Sequence, residues 1–294
     1  MHILPDTRDL IDLTERSCPV AAAEFGEYLN RHNHLIVLSF TNIRELAGPL
    51  ARGGNFLQIR RLLQSLEAMA HTYLREVNII GLEIESAVHA FGNGTECEPI
   101  SVYVNRWDRT LMMPRGQMQS VFDNIVGLRL DDLVYIAYRA RPEIFAPPEQ
   151  HLPMLIRHFE EDRQRLRAGQ AIPREHFVNA FKRHAASHHV DLPNSREDEC
   201  AEWVYANPNR CPGMRLHHET YRELMMNYAN VPEVGDFSDL AHVFAVPYVD
   251  AATLDRRMRN YCSQASRRLA GLPFGVDYRQ RLYRDLEDVM RRNP

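Results

Sequence analysis

The chain has 294 residues, 45% of them hydrophobic and 25% charged, a globular composition that excludes a disordered protein and allows one large domain or two smaller ones. The formal net charge of −4 excludes a chain coated throughout in positive charge for nucleic acid. No stretch approaches the roughly 18 consecutive apolar residues of a membrane-spanning helix.

The opening residues Met1 to Asp6 lack a basic start and place a carboxylate where a signal peptide is apolar, so a cytoplasmic protein is expected. The five cysteines are odd in number and scattered, with no CxxC pair, as expected of reduced thiols. Lys182 is the only lysine, so any phosphate-binding surface must be built from arginine.

In chain order, Ile3 to Pro5 reads as a short apolar run meeting Asp6 and Thr7. Pro19 to Leu29 reads as a helix and His34 to Ser39 as a strand. Asn42 and Glu45 form a capping-box-like start to the next helix. Gly53-Gly54-Asn55 breaks the chain before Phe56, Ile59, Leu62, Leu63 and Leu66, which carry the spacing of an amphipathic helix. Val77 to Ile80 is expected as a strand, and Glu83 to Phe91 as a helix ended by Gly92-Asn93-Gly94. This alternation predicts an α/β fold with a mainly parallel sheet.

Residues 93–230 read instead as helices, around 118–139, 151–168, 174–186, 196–206 and 215–229, separated by proline-rich joints. From about residue 231 the alternation returns. Asp236 to Val246 reads as a helix, Tyr248 to Leu254 as a strand, Arg256 to Leu269 as a helix and Tyr278 to Arg292 as a last amphipathic helix. The expected organisation is an α/β domain made of 1–92 and 231–294, split by a mainly helical insertion over 93–230.

Four carboxylates fall where such a sheet would gather them. Asp6 follows the first strand, and Glu45 lies early in the helix after the second. Asp239 opens a helix, with Asp236 as its competitor, and Asp255 ends a strand. In an open parallel sheet the carboxyl ends of the strands converge on one edge. Clustered carboxylates repel one another unless a cation resolves the repulsion, and hard oxygen ligands favour Mg²⁺ or Mn²⁺. Such a site suits phosphodiester hydrolysis.

The chain here resembles the PIN-domain family of metal-dependent ribonucleases, which includes many bacterial toxin–antitoxin toxins. The similarity is carried by Ile3-Leu4-Pro5-Asp6-Thr7 through Leu13, by Ser39-Phe40-Thr41-Asn42-Ile43-Arg44-Glu45-Leu46, by Asp239-Leu240-Ala241-His242, and by Thr253-Leu254-Asp255. Arg8 stands where the family often has asparagine, and Pro5 interrupts the first strand. The resemblance implies a PIN-like parallel sheet flanked by helices, and metal-binding, catalytic roles for Asp6, Glu45, Asp239 and Asp255. It leaves 93–230 unexplained.

Around these acids, Thr7 and Thr253 are candidates to orient a metal-bound water or a phosphate, or else to serve turn and strand pairing. His242 is a candidate phosphate ligand or a buried, hydrogen-bonded imidazole. Arg256, with Arg257 and Arg259, is a candidate for the RNA backbone or a solvated helix face. Asp250 reads as a solvated strand start. In the insertion, His184, His188, His189, His217, His218, Cys200 and Cys211 read by default as buried thiols and surface histidines. Tyr103, Trp107, Trp203, Tyr205 and Tyr221 read as core aromatics or base-stacking platforms.

The expected function is a metal-dependent ribonuclease acting on RNA, with a protein inhibitor or a second copy of the chain as possible partners. The alternative is a catalytically inactive PIN-like module that binds protein or RNA. A flap-endonuclease-like reading needs a second set of acids, for which only Glu83 and Glu85 offer themselves.

Overall fold

The computed structural model describes residues 1–15, 22–51, 53–106, 129–140, 142, 152–169, 172–229 and 232–294. Trp107 and the start of the expected 118–139 helix lie outside the described residues. The first half runs β1 (His2–Leu4), α1 (Thr7–Glu15), α2 (Ala22–His32), β2 (Leu35–Leu38), α3 (Phe40–Ala51), α4 (Phe56–Glu67), β3 (His71–Leu74), α5 (Glu76–Asn93) and β4 (Tyr103–Val104). Then come α6 (Leu130–Ala140), α7 (Leu152–Arg167), α8 (Ile172–Ser187), α9 (Glu197–Ala206) and α10 (Pro212–Met226). The chain closes through α11 (Val234–Val243), β5 (Ala251–Thr253), α12 (Arg256–Ala270), β6 (Leu282–Tyr283) and α13 (Leu286–Arg292).

The described strands form one sheet in the order β4-β3-β2-β1-β5-β6, parallel except for β4, which pairs antiparallel with β3. β1 sits centrally, with Ile3 opposite both Ile36 and Ala251. The chain winds from β1 outward through β2 and β3, then returns to the other side of β1 with β5 and β6. That reversal makes the carboxyl end of β1 the switch point of the sheet.

Both faces are covered, as a parallel sheet requires. Side chains alternate along each strand. Ile3, Ile36, Leu38 and Ala251 enter a core shared with α1, α2, α3, α4 and α6. Leu4, Val37, Leu74 and Ala252 enter another with α11, α12 and Leu216 of α10. A third cluster joins α5 to α8, α9 and α10. The 93–230 segment therefore supplies an edge strand, β4, and packs helices on both layers.

Several expectations need correction. Val77 to Ile80 is helical, because α5 begins at Glu76 and its apolar residues face two helical layers at once; β3 is the less apolar His71–Leu74. Tyr278 to Arg292 divides into a 3₁₀ turn, β6 and the seven-residue α13, because Leu282 and Tyr283 pair with β5. β5 is shorter than Tyr248 to Leu254, since Val246–Tyr248 forms a 3₁₀ turn. Among the described residues, no helix is long and apolar enough to cross a membrane.

Candidate functional site

Three chain turns at the switch point are cross-linked by buried polar groups. The fully buried Asn42 accepts hydrogen bonds from the Ser39 backbone N–H (3.1 Å) and hydroxyl (3.0 Å), and donates through Nδ2 to the Pro5 carbonyl and Thr7 Oγ1 (3.1 Å each). The Asn42 N–H in turn donates to Ser39 Oγ, so Ser39 caps α3 and Asn42 lies inside the helix rather than at its N-cap. Glu45 consequently sits in the second turn of α3. On the other side of β1, the Asp6 N–H donates to Thr253 Oγ1 at 2.6 Å, fastening the β1–α1 turn to β5. Thr7 and Thr253 are both buried, and their hydroxyls hold this framework together.

The framework brings the four sequence-predicted acids into electrostatic reach of one another. Burial pushes the Asp239 carboxyl up to about 8, reinforced by the charges of Asp6, Asp255 and Glu45. Burial also raises Asp6 above the usual carboxylate range, partly offset by its hydrogen bond from the Arg8 N–H, with Glu45 and Asp255 adding to the rise. Asp255 Oδ1 accepts from the Met258 N–H as the N-cap of α12. Among the described residues, none of the four is ion-paired with an arginine. The four meet at charge-interaction range rather than shared-ligand range: no described group of three or more His, Cys, Asp or Glu side chains is positioned to hold a metal ion.

Asp239 lies inside α11 rather than opening it, because that helix starts at Val234 with a capping box between Glu233 and Asp236. Asp236 is thereby occupied: one oxygen accepts from the Glu233 N–H (2.7 Å) and the other pairs with Arg257 (2.5 Å). His242 is buried beneath the acids, its Nδ1 3.7 Å from Glu76 Oε1. Arg256 is exposed at the start of α12. It lines a cleft with Asp255, Arg257, Arg259 and Arg279. Asp250 lies at the opposite end of β5, accepting from the His2 N–H at 2.7 Å.

Two acids of this neighbourhood escape the sequence reading. Asp9 in the first turn of α1 has its carboxyl pushed up to about 7 by burial, with Asp6 and Asp285 adding to the rise. Glu76, the first residue of α5, is buried and accepts from the Thr41 N–H at 2.8 Å. Its signal was positional, as the acid just after β3, and was hidden by the misplacement of that strand. Glu83, the rival-nuclease candidate, is instead a buried acceptor for the Gly213 and Met214 N–H groups and the Tyr248 hydroxyl.

No protein-family model, curated protein or solved structure matches this chain.

Proposed function

We propose that the chain is a metal-dependent ribonuclease of PIN type. The single observation that carries the proposal is that Asp6 and Asp239 lie within charge-interaction range of each other and of Glu45 and Asp255 at the carboxyl end of the central strand. Gathering like charges in a half-buried place is costly unless a cation or a proton offsets them. The donor chemistry, hard carboxylate oxygens with no competing arginine among the described residues, is of the kind a divalent cation takes, and a cation would have to draw the four acids together, since they stand outside shared-ligand range.

Asp6, Glu45, Asp239 and Asp255 would hold one or two Mg²⁺ or Mn²⁺ ions, which supply an acidified water and charge stabilisation at the phosphodiester. Thr7, Asn42 and Thr253 fix the backbone that presents Asp6. The cleft with Arg256 and Arg259 beside Asp255 suits the phosphate backbone of an RNA strand. The alternative, an inactive PIN-like binding module, is favoured by the acids standing outside shared-ligand range.

The test is RNA cleavage by purified protein with controlled Mn²⁺. Wild type is expected to cleave, and Asp6→Asn to lose at least 10²-fold in rate, a typical consequence of dismantling transition-state charge stabilisation. An Asp6→Asn variant as fast as wild type overturns the proposal; RNA binding with no cleavage by either protein supports the inactive module.

A further inference from the structure

A second cavity, of about 430 Å³, opens between α3, α7, α8, α10 and α11, the last three helices contributing most of its wall. It shares two helices with the acids. Thr41 and Arg44 line it from α3, where Arg44 directly precedes Glu45; Ser238 and Ala241 line it from α11, where Ser238 directly precedes Asp239. The cavity and the carboxylates thus occupy adjoining faces of the same pair of helices, held together by the Arg44 Nη2 to Ser238 Oγ hydrogen bond (3.3 Å).

The lining is made largely of flat rings. His217 stacks on Phe244 with centroids 3.9 Å apart and planes 14° from parallel. His176 stacks on Tyr221 at 5.5 Å and 11°. His184 and Phe237 add further rings. The expectation of surface histidines holds for the exposed His189 and is corrected for the others: His184 and His217 are half-buried and His188 and His218 buried, drawn inward by the packing of α8 and α10. Burial, helped for His184 by the nearby Arg183, depresses His184 to about 4 and His217 to about 3, so both are neutral at physiological pH. A neutral imidazole carries one donor and one acceptor nitrogen on an aromatic plane. Two guanidinium groups, Arg44 and the exposed Arg183, complete the lining.

Stacking planes, neutral donor–acceptor edges and cationic groups in one cavity next to a phosphodiester-cleaving site match the chemistry of a nucleotide. The volume lies within the range of small-molecule pockets. We infer that this cavity is a base-binding subsite, in which the rings of α8, α10 and α11 hold the base of a nucleotide flanking the scissile bond while Arg44 and Arg183 take its phosphate. The inference rests on the ribonuclease reading for the identity of the substrate, and gives the 93–230 segment a role in substrate selection. The stacked base supplies binding independent of the acids.

Binding of the four ribonucleoside 5′-monophosphates, measured calorimetrically with excess chelator, separates this subsite from the cleavage reaction. At least one nucleotide is expected to bind, with ribose 5-phosphate at least tenfold weaker. Ala180→Trp, which fills the cavity from α8, and Arg183→Ala, which removes an exposed cation without disturbing the core, are each expected to weaken that nucleotide at least tenfold. Equal binding of ribose 5-phosphate, or nucleotide binding indifferent to both substitutions, overturns the subsite. So does the absence of nucleotide binding by the folded protein, whether or not it cleaves RNA. Nucleotide binding by a protein without hydrolysis retains the subsite and sinks the nuclease reading alone.

Discussion

Asp239 shows most directly what the site costs the fold. Its carboxyl, ordinarily near 3.8, is pushed up to about 8 by burial and by Asp6, Asp255 and Glu45. The folded chain therefore keeps a proton that the unfolded chain releases, and stability falls as pH rises between those two values. Asp239→Asn removes the liability. In chelator at pH 8 its melting temperature is expected to exceed that of wild type by about 2–4 °C, the shift that ~1 kcal/mol produces in large domains, while RNA cleavage collapses. A lower melting temperature in calorimetry would place Asp239 among the structural residues instead. Glu83 obeys the same sign at a distance from the site. Burial pushes it up from 4.5 to about 7, so wild-type stability declines across that interval, and Glu83→Gln is expected to flatten the decline. Parallel melting curves for the two proteins between pH 5 and 7 would show that Glu83 does not titrate there.

At the scale of elements, Asp6 and Asp255 are positioned by turns, and Glu45 and Asp239 by helices whose start the turns fix. Asn42 spans the β2–α3 and β1–α1 turns with hydrogen bonds in both directions. Asn42→Ala leaves several buried polar groups unpaired and is expected to destabilise the fold by about 2–3 kcal/mol, measured by denaturant unfolding, with a loss of cleavage from the displacement of Asp6 against Glu45. A neutral effect on both would remove the cross-link from the account. Turns of this kind are legible in sequence because a polar residue after a short apolar run marks a strand end whatever follows; hence the positions of Asp6 and Asp255 just beyond β1 and β5 could be read. The expectation that Asp239 opens its helix failed because the Glu233–Asp236 cap, which starts α11 earlier, is a side-chain exchange that composition does not reveal. The strand–helix inversion at residues 71–80 has a simple cause. Val77, Ile79 and Ile80 are β-branched and apolar, yet length decides: α5 is an eighteen-residue helix buried between layers, while β3 needs only four residues to bridge β2 and β4. Asp9 was hidden because its burial comes from elements far off in the chain, and Glu76 because the strand before it was misplaced.

For the whole molecule, the sheet order explains why residues from both ends of the chain meet. β1 separates β2 from β5, so its carboxyl end faces the turns of both halves. The helical segment between them packs α6 on one layer and α10 on the other and lines the ring-rich cavity, while the arginine cleft is built from α12 and Arg279. If the RNA path follows the cleft on α12, its arginines should carry part of the salt dependence of binding. Arg256→Ala and Arg259→Ala are each expected to lower the slope of log affinity against log salt by roughly 0.7, the single-strand value per neutralised phosphate. Unchanged slopes would move the RNA path away from α12.

The account turns on a divalent ion drawing the four acids together. Crystals soaked in Mn²⁺ and measured for anomalous scattering are predicted to show one or two peaks among Asp6, Glu45, Asp239 and Asp255, absent from crystals of Asp239→Asn. A soaked wild-type crystal with no peak there, its carboxylates still apart, would contradict it.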